Sequence, residues 1–370
     1  MSEPAPTDDR PEPPFGVHLV RTEENVAEID ALAGVLGPRV GVDGVLDDLK
    51  WQAKESLLGR LLGRAVSRAI TWDAYDRRDP RWWPQGISTS ADASDTEDIA
   101  GRRVLVTTWY SKAIDGASYG SRVTFLDLET LRYRHVLLVV PRLDQSGALV
   151  LEPLRIHAGG VVWAGPYLHV AATARGFVTF RLDDVMRVPG DDDHPDEFGF
   201  DGQRVASYGH RYVLPLRFGY RAETDEGHLG LRYSFVSLDR RSDPPTMIAG
   251  EYGRGDASTR LARYHLDPET WLLATGEDGF SRPTGIDDGG VAQMQGGVVA
   301  GGRYHLTVSK GPFAPGSVYV GQPGRFRRRR FATPMGPEDI AYWPSTDELW
   351  SVSEHPRRRW IFAMRRSWFD

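Results

Sequence analysis

Beyond residue 84 the apolar residues fall in short runs rich in Val, Ile, Leu and aromatics, each closed by Gly, Pro or Asp. Runs of that length and composition predict β-strands. His157–Asp183 shows the pattern most plainly: GVVW, a turn at 164–166, YLHVAAT, a turn at 175–176, then FVTFRLD. The rhythm recurs. Residues 86–89 go with 104–109, 160–163 with 168–173, 234–237 with 246–251, 297–299 with 304–309 and 339–342 with 349–354. Third strands follow at 121–128, 176–183, 259–267, 316–321 and 358–365. Fourth strands are expected at 133–140, 211–218, 271–276 and 325–332. Antiparallel units of this kind, the last one strand short, predict an all-β fold. It is a five-bladed β-propeller, or a six-bladed one if 205–222 forms its own blade. The missing strand is expected from the N-terminus, at Val17–Arg21, which would leave no open sheet edge. Irregular stretches at 142–156, 187–210 and 277–292 are assigned to loops.

The pattern before residue 84 is different. Val26, Ile29, Leu32 and Leu36 fall at helical spacing, and Gly37-Pro38 ends the run. A second helix is expected over 44–70, with Leu46, Leu49, Ala53, Leu57, Leu61 and Ala65 on one face. Arg60, Arg64 and Arg68 make a basic stripe on another, suited to solvent or to a membrane surface. The expected organisation is a disordered tail at 1–14, a closing strand and bracing helices at 15–82, and a propeller at 83–370.

Composition narrows the function classes. The 370 residues carry a formal net charge of −6 and no cysteine. An acidic total disfavours nucleic-acid binding, and the missing cysteines exclude disulfides, thiolate metal sites and a thiol nucleophile. No apolar run is long enough to span a bilayer. The start, MSEPAPTDDRPEPP, has no basic-then-apolar leader, so a cytoplasmic protein is expected, as a monomer or weak homo-oligomer. GASYG at 116–120 fits G-x-S-x-G but lies between strands, not on a strand-to-helix elbow. RFRRRRF at 325–331 reads as charge protecting an outer strand, and DDDHPDE at 191–197 as a solvated loop.

IHAGGVVWAGPYLHVAATARGFVTFRLDDV resembles a family of actinobacterial propeller proteins, many with secretion signals. RYVLPLRF, FVSLDRRSDPPTMIAGEYG and PEDIAYWPSTDELWSVSEHP extend the resemblance over roughly residues 83–364. It implies the propeller fold and no particular activity. This chain departs from the family in the absent leader and the helical segment 22–70.

In a propeller, the starts of inner strands and the ends of second strands share one face, where ligands gather at the channel mouth. Aligning the repeats places Glu251, Glu354, His157 and Tyr110 there as candidate acid–base residues. Trp83, Gln85, Trp109, Tyr252, Gln295, Lys310 and His355 are candidate substrate-binding groups. The expected function is a cofactor-independent enzyme acting on a small molecule in the central channel. It would be a cyclase, isomerase, lyase or hydrolase, in specialised metabolism. A non-catalytic propeller that binds a carbohydrate or a protein is the alternative. A divalent cation in the channel, on Glu338 and Asp339, stays open. Five-bladed glycosidases also use channel carboxylates, but Gln85 stands near where their first aspartate is sought, with Asp92 several residues later.

Overall fold

The expected strands are present and pair as antiparallel ladders in a computed structural model that describes residues 15–190 and 195–370. The tail at 1–14 and positions 191–194 of the acidic run lie outside the described residues. The protein is an all-β propeller. Among the described residues, Trp82–Thr89, Val161–Ala164, Phe235–Asp239, Met294–Ala300 and Pro337–Trp343 each open a sheet of four or more strands. Each pairs with the next strand in the chain, and that strand with the one after.

Apolar side chains on the two faces of each sheet pack against the sheets on either side. Val106, Phe125, Trp163 and Phe180 join the first and second sheets. Val162, Phe177, Met247 and Tyr264 join the second and third. Phe235, Ile248, Met294 and Leu306 join the third and fourth, and Val298, Val318, Ile340 and Phe362 the fourth and fifth. Trp82, Trp109, Trp343 and Trp350 return from the fifth to the first and close the circle.

Near the axis the inner strands touch backbone to backbone. A Cβ on Gly160 would lie 2.3 Å from Val236 N, and one on Gly296 2.5 Å from Asp339 Cα. Gly160 and Gly296 therefore serve contact between sheets. Hydroxyls fasten the same seams. Thr108 Oγ1 donates to Ala158 O at 2.8 Å, and Thr307 Oγ1 to Glu338 O at 2.6 Å. Gly160→Ala is expected to cost about 1–3 kcal/mol, because the obstructing atoms are backbone. Gly34→Ala, in the helix Val26–Leu36 with nothing within 4 Å, is expected to be neutral or stabilising. Urea midpoints of the two variants check this; equal midpoints would contradict it.

Four expectations need correction. The fifth sheet is closed by Val66–Thr71, paired with Trp360–Arg365, not by Val17–Arg21. Val17–Arg21 instead pairs with Phe218–Thr224 at the outside of the second sheet. The helix expected over 44–70 is absent. A short helix Gly41–Leu46 is followed by the strand pieces Trp51–Gln52 and Lys54–Glu55, then a turn at Gly59–Leu61. Ala53 and Ala65 are buried while Leu57 and Leu61 are exposed, so the apolar spacing never formed one face. Gly59 and Gly63 add the usual helix cost. The fourth strands of the second and third sheets are Phe218–Thr224 and Gly285–Asp287, not 211–218 and 271–276. Tyr212–Pro215 runs parallel to Arg132–Leu143 on the first sheet, and Val205–Ser207 pairs with Phe198–Phe200. Residues 205–222 are thus shared among neighbours and form no separate blade.

Candidate active site

Three inner strands are bulged at one end of the ring. The register shifts between Pro84 and Ile87, between Met294 and Gly296, and between Pro337 and Ile340. An extra residue in one strand re-aims side chains that regular pleating would bury between sheets. The residues inside these bulges include Gln85, Gln295 and Glu338, and all three line one cavity of about 390 Å³. Tyr110 and Thr173 from second-strand ends, His157 from the lead-in to the second sheet, Tyr252 and Glu354 complete most of its wall. Seven expected residues therefore meet: Gln85, Tyr110, His157, Tyr252, Gln295, Glu338 and Glu354.

The two glutamates are not equivalent. Gln85 Nε2 donates to Glu354 Oε2 at 3.1 Å, and Gln295 Nε2 to Glu338 Oε1 at 3.1 Å. Glu338 is buried, with no ion pair among the described residues. Burial, with Glu354 and Asp339 close by, pushes its pKa well above 4.5. Burial also raises Glu354, but the Gln85 hydrogen bond, Lys112 and Arg359 oppose it. His355 Nδ1 lies 3.5 Å from Glu354 Oε1, and Arg359 Nε donates to the Glu354 carbonyl at 2.8 Å.

Opposite them, the Tyr110 and His157 rings sit 4.5 Å apart. His157 opens to the cavity yet is walled by protein on most sides, and that desolvation, with Lys112 nearby, lowers its pKa below 6.5. Its imidazole is therefore held toward the neutral form. Burial beside two carboxylates raises the Tyr110 phenol, keeping it a hydrogen-bond donor.

Lys112, Arg232 and Ser234 also line the cavity and were not expected there. Lys112 is one of four lysines, immediately after the strand that ends at Ser111, which is the signal that could have found it. Its ammonium sits 3.1 Å from the centre of the Trp83 ring, and desolvation lowers its pKa.

Other expected residues are elsewhere. Glu251 is buried and taken by Arg260, Nε to Oε2 at 3.0 Å and Nη2 to Oε1 at 2.8 Å, with the backbone N–H groups of Arg232 and Arg260 also donating to it. It is a structural ion pair, not a cavity acid. Trp109 lies in the core, its Nε1 on Thr107 Oγ1 and its ring against Trp72. Adjacent strand residues face opposite ways, so Tyr110 and Trp109 could not both reach the cavity. Lys310 is exposed, 3.5 Å from Gln293 Oε1, outside the lining. Trp83 and His355 pack edge to face at 5.7 Å as a layer behind it.

Asp339 lies deeper, fully buried, its Oδ2 accepting from Ile87 N at 3.2 Å and Val161 N at 3.4 Å. It joins three sheets at the axis, and burial raises its pKa well above 3.8. Among the described residues, no three His, Cys, Asp or Glu surround a point that a metal ion could occupy.

Neither a family model nor a curated protein matches the chain. Among solved structures it is similar to a GH43_1 enzyme from Xanthomonas citri complexed with xylotriose. That pair is 13% identical, covers 91% of this chain and 92% of that one, and has a TM-score of 0.36. A gluconolactonase from Xanthomonas campestris is also 13% identical, over 96% and 89%, with a TM-score of 0.33. A β-xylosidase, RS223, is 10% identical over 77% and 92%, with a TM-score of 0.34. At these values the neighbours say nothing about what this chain binds.

Proposed function

We propose that the cavity is the active site of a hydrolase that needs no cofactor and acts on a small polar molecule. One observation carries this: a buried carboxyl group, Glu338, and a half-buried one, Glu354, share a cavity with no arginine ion pair among the described residues, in environments that raise the pKa of Glu338 further than that of Glu354. Glu251, by contrast, has its carboxylate paired with Arg260. Five inner strands and five interleaved cores support reading the ring as five-bladed.

The chemistry follows from the asymmetry. Glu354, held toward its ionised form by Gln85, Lys112 and Arg359, takes a proton from water as the water oxygen bonds to the electrophilic carbon. Glu338, held protonated by burial, gives its proton to the departing oxygen as the C–O bond breaks. Exchange with solvent then returns one proton to Glu338 and removes one from Glu354. Tyr110 and the two glutamines orient hydroxyls. Lys112 and Arg232 have no carboxylate ion pair among the described residues, and they suit an anionic group on the substrate.

The test is a turnover panel of sugar lactones, aryl glycosides and aryl uronides. Wild type is expected to exceed the Glu338→Gln/Glu354→Gln double variant on at least one member. Lys112→Ala is expected to raise KM more for a uronide than for its neutral parent. Rates equal to the double variant throughout would sink the reading, and ligand binding without turnover would favour the non-catalytic alternative.

A further inference from the structure

The turn at Gly59–Leu61 carries large apolar side chains into solvent. Leu57 is 102% exposed, Leu61 86% and Leu58 47%. The segment runs beside the outer strand Arg325–Met335 of the fourth sheet, since Arg64 N donates to Phe331 O at 2.8 Å and Ala65 N to Ala332 O at 3.2 Å. Phe331, 49% exposed, lies under the Arg64 guanidinium. On this segment and along the neighbouring strand, Arg60, Arg64, Arg325, Arg327, Arg328 and Arg330 are exposed, and none has a carboxylate partner among the described residues. Arg329 is instead bound to the carbonyls of Phe369 and Asp370, beside the exposed Trp368. A chain of net charge −6 thus gathers unpaired arginines around protruding leucines.

We propose that this patch docks the protein on an anionic lipid surface, with Leu57, Leu58 and Leu61 entering the headgroup–acyl boundary and the arginines meeting lipid phosphates. Charge complementarity selects the occupant. Phosphodiester-rich surfaces match the arginines, and among these only a bilayer also rewards burial of leucines. Nucleic acid would match the arginines but offers the exposed leucines no acyl layer. Orientation agrees with the site at the mouth. Val66, which follows the tip, pairs with Met364, whereas Thr71 at the other end pairs with Trp360, next to Ser353 and Glu354. Docking therefore leaves the cavity facing water.

Co-sedimentation of the full chain with vesicles tests this. Phosphatidylcholine vesicles with about a third phosphatidylglycerol are expected to bind it, pure phosphatidylcholine much less, and added salt to weaken binding. Leu57→Ser/Leu61→Ser is expected to reduce binding by more than about tenfold. Arg327→Ser/Arg330→Ser is expected to reduce it roughly fivefold per arginine removed. All these side chains are exposed, so folding is expected to be unchanged, with circular dichroism as the check. Equal binding to both vesicle types, no binding to either, or a leucine double variant that sediments like wild type would overturn the proposal. So would a wild-type dimer that this variant dissociates, which would assign the patch to a second copy.

Discussion

Glu354→Gln is expected to lower kcat by about 10²–10⁴-fold while the fold stays intact, the usual range for loss of a general base. The amide keeps the size of the side chain and can still meet Gln85, so KM is expected to change far less than kcat. The pH profile separates catalysis from simple binding. As a base, Glu354 must be ionised, so wild-type activity is expected to rise with pH through its raised pKa, above 4.5. As an acid, Glu338 must be protonated, so activity is expected to fall again as pH climbs through its still higher pKa. Glu354→Gln should remove the acidic limb and leave the alkaline one. Lys112→Ala should move the acidic limb to higher pH, because a cation that favours the carboxylate is gone. An unchanged limb in both variants would reject the assigned roles.

Asp76→Asn is expected to be the most destabilising conservative change in the N-terminal segment, by about 3–5 kcal/mol, since it strands a buried cation. Asp73 caps the short helix Ala74–Arg78 through Asp76 N at 2.8 Å and so fixes where Asp76 points. The buried Asp76 carboxylate accepts from Arg122 Nη2 at 2.7 Å, Tyr133 OH at 2.6 Å and His135 Nε2 at 2.9 Å. An ionised carboxylate only accepts, so His135 carries its proton on Nε2, and Nδ1 accepts from Thr124 Oγ1 at 2.6 Å. Burial opposes ionisation of Asp76, but His135, Arg122 and the hydrogen bonds outweigh it and lower its pKa well below 3.8.

A depressed carboxyl pKa gives stability that is complete above the unfolded value, near 4, and lost as pH falls below it. Urea unfolding of wild type and variant at pH 7 is expected to show the full difference, shrinking below about pH 4. The difference isolates this network, because Glu338, Asp339 and Asp92 have raised pKa values and shift stability in the opposite direction as pH changes. A difference under about 1 kcal/mol at pH 7 would show that the network contributes little. Arg359, whose Nη1 donates to Asp76 O and whose Nε donates to Glu354 O, joins this network to the cavity. A smaller fall in turnover is therefore expected as well.

The sequence determined the propeller, and which side chains gather in one cavity, because both depend on short-range pattern. Period-2 runs closed by glycine mark strands whatever they pack against, and their repetition marks sheets around an axis. Aligning repeats was enough to bring Gln85, His157, Gln295, Glu338 and Glu354 to the channel mouth. Only the tertiary structure decided which side chains of that ring are available. Glu251 and Glu354 occupy equivalent strand ends, yet Arg260, nine residues away, claims one, whereas among the described residues no arginine forms an ion pair with the other. Lys112 and Arg232 lie in connections, where no periodicity fixes direction. The closing strand shows the same division. Val17–Arg21 and Val66–Thr71 both read as strands in the local pattern. Which one completes the fifth sheet depends on long-range pairing with Trp360–Arg365, a free-energy difference between whole arrangements that no short window contains.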